Sequence, residues 1–228
     1  MKNNQKQLLS FQSENLVVDY ISFKFQSLKN SEKRNLVNYF FNIGFNCYQQ
    51  SGKAAKPISE PISVSLKNKF QADFVVDNPY WKGTLLTFSG LNAAVFYTLV
   101  QKKLIPWHLF SSGILSRFDL YFSRNHKSED KISVYEFFQG CQKHLLRTNQ
   151  NVELDKNSKG LILRIGSRRS DNYFRIYETK YSLKFEHEIN RKSIRTYHLF
   201  LVSNNLEEFE DKLSKYYLSY VSQLLPLS

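Results

Sequence analysis

The sequence predicts an α+β fold: a largely antiparallel β-sheet with helices packed on one side. Two patterns and the composition lead there. Short segments alternate apolar and polar residues with the period of two that a half-buried strand requires. The clearest is Gly160–Glu188, with Leu161, Leu163 and Ile165, then Tyr173–Tyr177, then a strand running on to Ile189. Other segments place apolar residues three and four apart, as an amphipathic helix does. The chain has 228 residues, 42% of them hydrophobic and 19 of them Phe, which is enough to close a core and excludes a disordered chain.

Residues 1–14 read as a polar tail and residues 15–228 as a single domain. Leu16–Phe25 alternates as a strand, with Asp19 and Lys24 as its polar exceptions. Ser31 is placed as an N-cap with Glu32 in the first turn, and Leu36, Tyr39, Phe40 and Ile43 follow at helical spacing until Gly44. Ser51–Glu60, with its proline and glycine, reads as a loop, and Ile62–Leu66 with Phe70–Val76 as a hairpin. Trp81–Gly90 and Leu91–Lys103 read as strand, turn and helix, with Leu91, Val95, Thr98 and Leu99 on one helical side. Ile114–Ser123 is a strand that sets Arg117, Asp119 and Tyr121 on one face and Phe118, Leu120 and Phe122 on the other. Ser133–Arg147 is an amphipathic helix turning Val134, Phe137, Phe138, Cys141 and Leu145 inward. Asn149–Lys159 is a polar loop, and Ile194–Val202 and Leu206–Leu225 are helices.

The formal net charge of +12 favours a polyanionic partner, and nucleic acid is the commonest. An anionic membrane surface competes, but no basic amphipathic helix supports it. An AT-rich coding bias, which inflates Lys, Asn, Phe, Tyr and Ile, is the plain alternative for part of the charge. Cys47 and Cys141 form no CxxC and no zinc spacing, and read as buried thiols. There is no signal-peptide core and no apolar run of about 18 residues. The expectation is an intracellular protein of the cytoplasm or nucleoid, or of a plastid if the gene is organellar. No P-loop, no HxH pair among the histidines and no nucleophile elbow occurs, so the sequence gives no sign of ATP use and no support for histidine-paired nicking or a serine hydrolase.

Within Gly160–Glu188 a turn-prone loop, Gly166–Asn172, carries Ser167, Arg168, Arg169 and Ser170 between two strands. Arg175 precedes Tyr177 by two and shares its face, and Glu186 and Glu188 share a face of the next strand. Two carboxylates so placed repel unless a cation or an arginine lies between them. Fixed positive charge, a phenol and paired acids are what phosphoryl chemistry on a polyanion requires. Asp119, two residues from Arg117, is either a further carboxylate ligand or a structural ion-pair partner of Arg117 or Arg168. Trp81 and Trp107 either stack on unpaired bases or pack in the interior, packing being the plainer choice.

GSRRSDNYFRIYETK followed by LKFEHEI resembles the core motif of the replication initiation factors of small rolling-circle plasmids, the Rep_trans type. Its general form is GSRxSxxxxRIYxK and then a strand carrying RxExxL. The likeness covers residues 16 to 224, includes an opening DYxSxxF-like strand, and is densest from Gly160 to Glu188. It implies a nicking-enzyme-like catalytic domain that cuts and rejoins one DNA strand through a 5′-phosphotyrosine. By the same resemblance Tyr177 is the nucleophile and Arg175 assists it. Asp119, Glu186 and Glu188 hold Mg2+ or Mn2+, and Ser167, Arg168, Arg169, Ser170 and Lys180 contact DNA. The partners implied are single-stranded or cruciform DNA at a replication origin and a second copy of the chain. Two departures stand out: Ser123 occupies the place of a second acid in the RxDLxxD strand, and Lys180 is one residue beyond the usual lysine, with Tyr181 as a fallback nucleophile. They keep two alternatives open, a catalytically inactive relic that binds DNA or RNA, and a structural protein whose charge reflects base composition alone.

Overall fold

The computed structural model describes residues 17–51, 54–57, 70–76, 83–125, 131–147, 151–157, 160–179, 182–203 and 205–224. The chain divides into two compact units, one of residues 18–118 and 194–204, the other of residues 1–17, 119–193 and 205–228.

In the first unit the strands are β1 (Val17–Phe25), β2 (Phe45–Ser51), β3 (Ala54–Pro57), β4 (Phe70–Val76), β5 (Thr84–Ser89) and the opening half of β6 (Gly113–Asn125). They are ordered β3-β2-β4-β5-β1-β6. β1 pairs antiparallel with β5, matching Ile21 to Phe88 and Phe23 to Leu86, and these side chains are buried. Helices α1 (Asn30–Asn42) and α2 (Leu91–Gln101) and a 3-10 turn at Trp107–Phe110 cover that apolar face. Phe40 of α1 has its ring 5.2 Å from Phe88, and Phe96 of α2 stacks on Phe88 at 4.3 Å. Each buried Phe contributes about 2 kcal/mol of burial, and each ring pair about 1 kcal/mol more.

Several expectations are corrected here. α1 begins at Asn30, and its N-terminus is closed by the Glu32 carboxylate, which accepts the Lys29 N–H at 2.8 Å, rather than by Ser31. Leu91 is 71% exposed; the inward side of α2 is Ala93, Phe96 and Val100, because these face the phenylalanine cluster. β2 and β3 occupy stretches not read as strands, and β4 pairs parallel with β2 and antiparallel with β5. The expected partner of β4, Ile62–Leu66, lies outside the described residues, as does Trp81. Trp107 packs, its ring 5.4 Å from Phe110 and 6.3 Å from Phe23.

The second unit holds the rest of β6, then β7 (Val152–Asn157), β8 (Gly160–Gly166), β9 (Asn172–Glu178) and β10 (Ser182–Asn190). Their order is β6-β10-β9-β8-β7, and β7 through β10 are joined by antiparallel pairs. β7 falls in a stretch expected to be loop. Helices α3 (Lys131–Arg147) and α5 (Leu206–Leu224) pack on the apolar face. Phe137 meets Phe185 at 6.1 Å, and the Tyr217 hydroxyl donates to the Phe185 carbonyl at 3.0 Å. Phe138, Cys141 and Leu145 are buried, as their spacing requires; α4 (Arg191–Val202) follows β10 in the chain, and from Ile194 on it belongs to the first unit. Cys47 and Cys141 are free buried thiols, each pushed up to about 12 by burial. Among the described residues no helix is long and apolar enough to cross a membrane.

Gly83 opens β5 at φ +111°, where an added Cβ would run into the Phe25 carbonyl oxygen, whereas Gly90, at φ +54°, has open space around it. Gly83→Ala is therefore expected to cost about 3 kcal/mol from backbone strain and overpacking together, and Gly90→Ala only about 1 kcal/mol. Urea midpoints of the two variants check this; equal shifts would contradict it.

Candidate nucleic-acid and strand-transfer site

The hairpin joining β8 to β9 is built by its own polar groups. Gly166 takes φ +81°, the Ser170 N–H donates to the Ser167 carbonyl at 2.8 Å, and the Arg169 N–H donates to Ser167 Oγ at 3.1 Å. Ser170 Oγ lies within hydrogen-bonding distance of the Ser167 and Asn172 carbonyls. Both serine hydroxyls thus shape the loop. Arg168 and Arg169 are exposed at its tip, with the Arg168 guanidinium 5.8 Å over the Tyr173 ring.

Beyond the loop, strand register decides which side chains meet. Tyr177 stands opposite Ile162 on β8 and Lys184 on β10, Arg175 opposite Arg164 and Glu186, and Tyr173 opposite Gly166 and Glu188. Cross-strand partners share a face with their Cβ atoms about 5 Å apart, so Tyr177, Arg175, Lys184, Glu186 and Glu188 lie on one surface of the sheet. Asp119 joins them. Lys184 Nζ sits 3.7 Å over the ring of Tyr121, two residues from Asp119 on β6, while Phe122 meets Phe185 on the opposite face.

The charges on this face are tightly engaged. An Arg175 Nη2 nitrogen forms an ion pair with Glu186 Oε1, the two side chains 18% and 4% exposed. Arg164 Nη1 pairs with Asp155 and, at 3.3 Å, with Glu153 of β7. Glu188 Oε1 accepts the Asn190 amide at 3.2 Å. Asp119, Glu186 and Glu188 are all buried. The face carries at least as many acids as bases among the described residues; Lys184 and Arg164 are half-buried on it, and Arg168 and Arg169 at the hairpin tip are exposed beside it.

Of the expected site residues, Asp119, Arg175, Tyr177, Glu186 and Glu188 share one face, Ser167 and Ser170 serve the loop, and Lys180 and Tyr181 lie outside the described residues. Arg117 rests over the Tyr20 ring at 4.4 Å in the other unit. Arg164 and Lys184 were not singled out by the sequence; only cross-strand register reveals them. Among the described residues no group of three or more His, Cys, Asp or Glu is placed to hold a metal ion, and Glu186 is committed to a guanidinium. Asp119 and Glu188 lie on the same face of the sheet, and a pair of carboxylates is the kind of donor set that Mg2+ completes with water and phosphate oxygens.

Comparison with family models gives no match, and comparison with curated proteins gives no significant match. Among solved structures, the chain is similar to a rolling circle replication initiator protein from Geobacillus stearothermophilus, with 13% identity, a TM-score of 0.48, and coverage of 83% of this chain and 79% of that one. At that distance the likeness transfers neither fold nor activity. The weight therefore falls on the site itself.

His187 lies between the two glutamates in sequence but points to the apolar face, as alternation requires. It is fully buried, its ring stacks on Tyr216 at 5.5 Å, and Nε2 is 3.3 Å from Asn172 Oδ1. Desolvation pushes its pKa from 6.5 down to about 3. A depressed folded-state pKa means the unfolded chain binds the proton first. The contribution to stability is therefore complete above pH 6.5 and is lost as pH falls toward 3. His187→Gln is expected to flatten the fall of the urea midpoint between pH 6.5 and 4 relative to the parent protein; an unchanged slope would contradict the burial argument.

Proposed function

We propose that the protein nicks and rejoins single-stranded DNA through Tyr177, as an initiator of rolling-circle replication does. One observation carries the proposal. Tyr177 shares a sheet face with Arg175 two residues before it, Lys184 directly opposite, and the buried acids Asp119, Glu186 and Glu188. The motif around it, GSRRSDNYFRIY, supports the same chemistry.

Tyr177 Oη would attack the phosphorus and form a P–Oη bond while the P–O3′ bond breaks. The phenolic proton passes to solvent, and the departing 3′ oxygen takes up a proton to become a hydroxyl. An aryl phosphodiester keeps the energy of the broken bond, so the 3′ hydroxyl can reverse the step. Arg175 and Lys184 place positive charge where the phosphoryl oxygens gain negative charge. Asp119 and Glu188 would hold Mg2+ or Mn2+, which when bound draws charge from the same oxygens. Arg168 and Arg169 at the hairpin tip would guide the strand, which is single-stranded or extruded as a cruciform at an origin. A homodimer is part of the proposal only as the resemblance implies it.

A second reading, a relic that binds nucleic acid without cutting it, is favoured by the exposed Ser123, which stands where the resembling pattern has an acid.

Incubation with a pool of labelled single-stranded oligonucleotides and Mn2+ tests the proposal. A covalent protein–DNA adduct is expected, reduced at least a thousandfold in Tyr177→Phe with binding retained. Undiminished adduct in that variant would overturn the assignment, and binding without adduct in the parent protein would favour the relic.

A further inference from the structure

We infer that Glu186 is a positioning residue for Arg175 rather than a metal ligand, and that it aims the open edge of the Arg175 guanidinium at the phosphodiester attacked by Tyr177. The inference rests on the strand-transfer reading of Tyr177 and deepens it.

The geometry begins with register: Arg175 and Glu186 are direct cross-strand partners. Their ion pair runs through the single nitrogen Nη2, while Arg175 Nε is buried and has no hydrogen-bond partner among the described residues. Glu186 therefore holds one corner of the fork and leaves Nε without a partner among the described residues. A guanidinium offers five N–H donors whose spacing matches phosphate oxygens, and an unused donor in a nearly enclosed side chain is costly until an acceptor arrives.

The swing of the side chain is limited on a second side, since its guanidinium carbon lies 5.6 Å over the ring of the buried Tyr173. Across β8 the opposing residue is Arg164, drawn to Asp155 and Glu153, so the acids of β7 neutralise Arg164 and leave Arg175 to Glu186. Tyr177 follows two residues later on the same face, about 7 Å along the strand, a gap that one phosphate group spans between a phenol oxygen and a guanidinium. A divalent ion at Glu186 would have to sit against the cationic fork that this carboxylate already holds.

Three measurements decide the matter. First, fluorescence anisotropy with a labelled single-stranded oligonucleotide pool in EDTA: Arg175→Met is expected to weaken binding about tenfold and make the salt slope shallower by about 0.7, the loss of one phosphate contact. An unchanged slope would overturn the phosphate contact. Second, a double-mutant cycle on adduct formation: Glu186→Gln is expected to slow the parent protein about tenfold but the Arg175→Met variant less than twofold, because the glutamate acts through the arginine. Equal losses in both backgrounds would overturn the positioning role; Glu186→Asp serves if the glutamine variant fails to fold. Third, Mn2+ binding to the DNA-free protein, followed by the paramagnetic resonance of free Mn2+: an affinity unchanged within twofold in Glu186→Gln is expected, and a tenfold weaker one would make Glu186 a ligand. Absence of any adduct in the parent protein would sink the strand-transfer reading, yet the anisotropy and Mn2+ measurements would still settle what Arg175 and Glu186 do.

Discussion

The ion pair between Arg175 and Glu186 is the constraint on which the second unit turns. Glu186 is almost wholly removed from solvent, and a carboxylate in that position is tolerable only with a cation fixed beside it. Because the partner sits on the neighbouring strand, the requirement fixes register as well as charge. A slip of one residue between β9 and β10 would bring Phe174 or Ile176 opposite Glu186 and turn Phe185 and His187 out of the apolar face. The exposed pair Lys215–Asp211 on α5, half or more in solvent on both sides, carries no such consequence.

That register also composes the chemistry. Once Arg175 faces Glu186, Tyr177 must face Lys184 and Tyr173 must face Glu188, so a phenol, two cations and buried acids arrive on one surface without any loop having to place them. The apolar side of the same strands, with Phe174, Ile176, Phe185 and Ile189, is closed by α3 and α5. Sites on strands backed by a packed core hold their geometry better than sites on loops. Beyond that backed face, Arg168 and Arg169 reach solvent at the hairpin tip.

Strands with strong alternation were legible in the sequence: β1, β6, β8, β9 and β10 all lie where periodicity puts them, and so do α1, α3 and the helices after β10. The strands that escaped are those whose own residues say little. β2 (FNCYQQS) has few apolar side chains, β3 contains a proline, and β7 (VELDKN) ends the strand order and is half charged. Their conformation comes from the neighbours they pair with. For the same reason Arg164 and Lys184 were invisible as site residues, since each gains meaning only from what stands opposite. Tyr177, Arg175 and the glutamates were legible because local spacing already set them on common faces. The commitment of Glu186 to Arg175 was not, because a period of two gives the face but not the partner.

Peptide mapping of the trapped protein–DNA adduct is the most direct test of the account. After proteolysis and nuclease trimming, tandem mass spectrometry should find the nucleotide on Tyr177, within the β9 peptide that contains Arg175. A nucleotide on Tyr121, Tyr173 or Tyr181, or on no tyrosine, would contradict it.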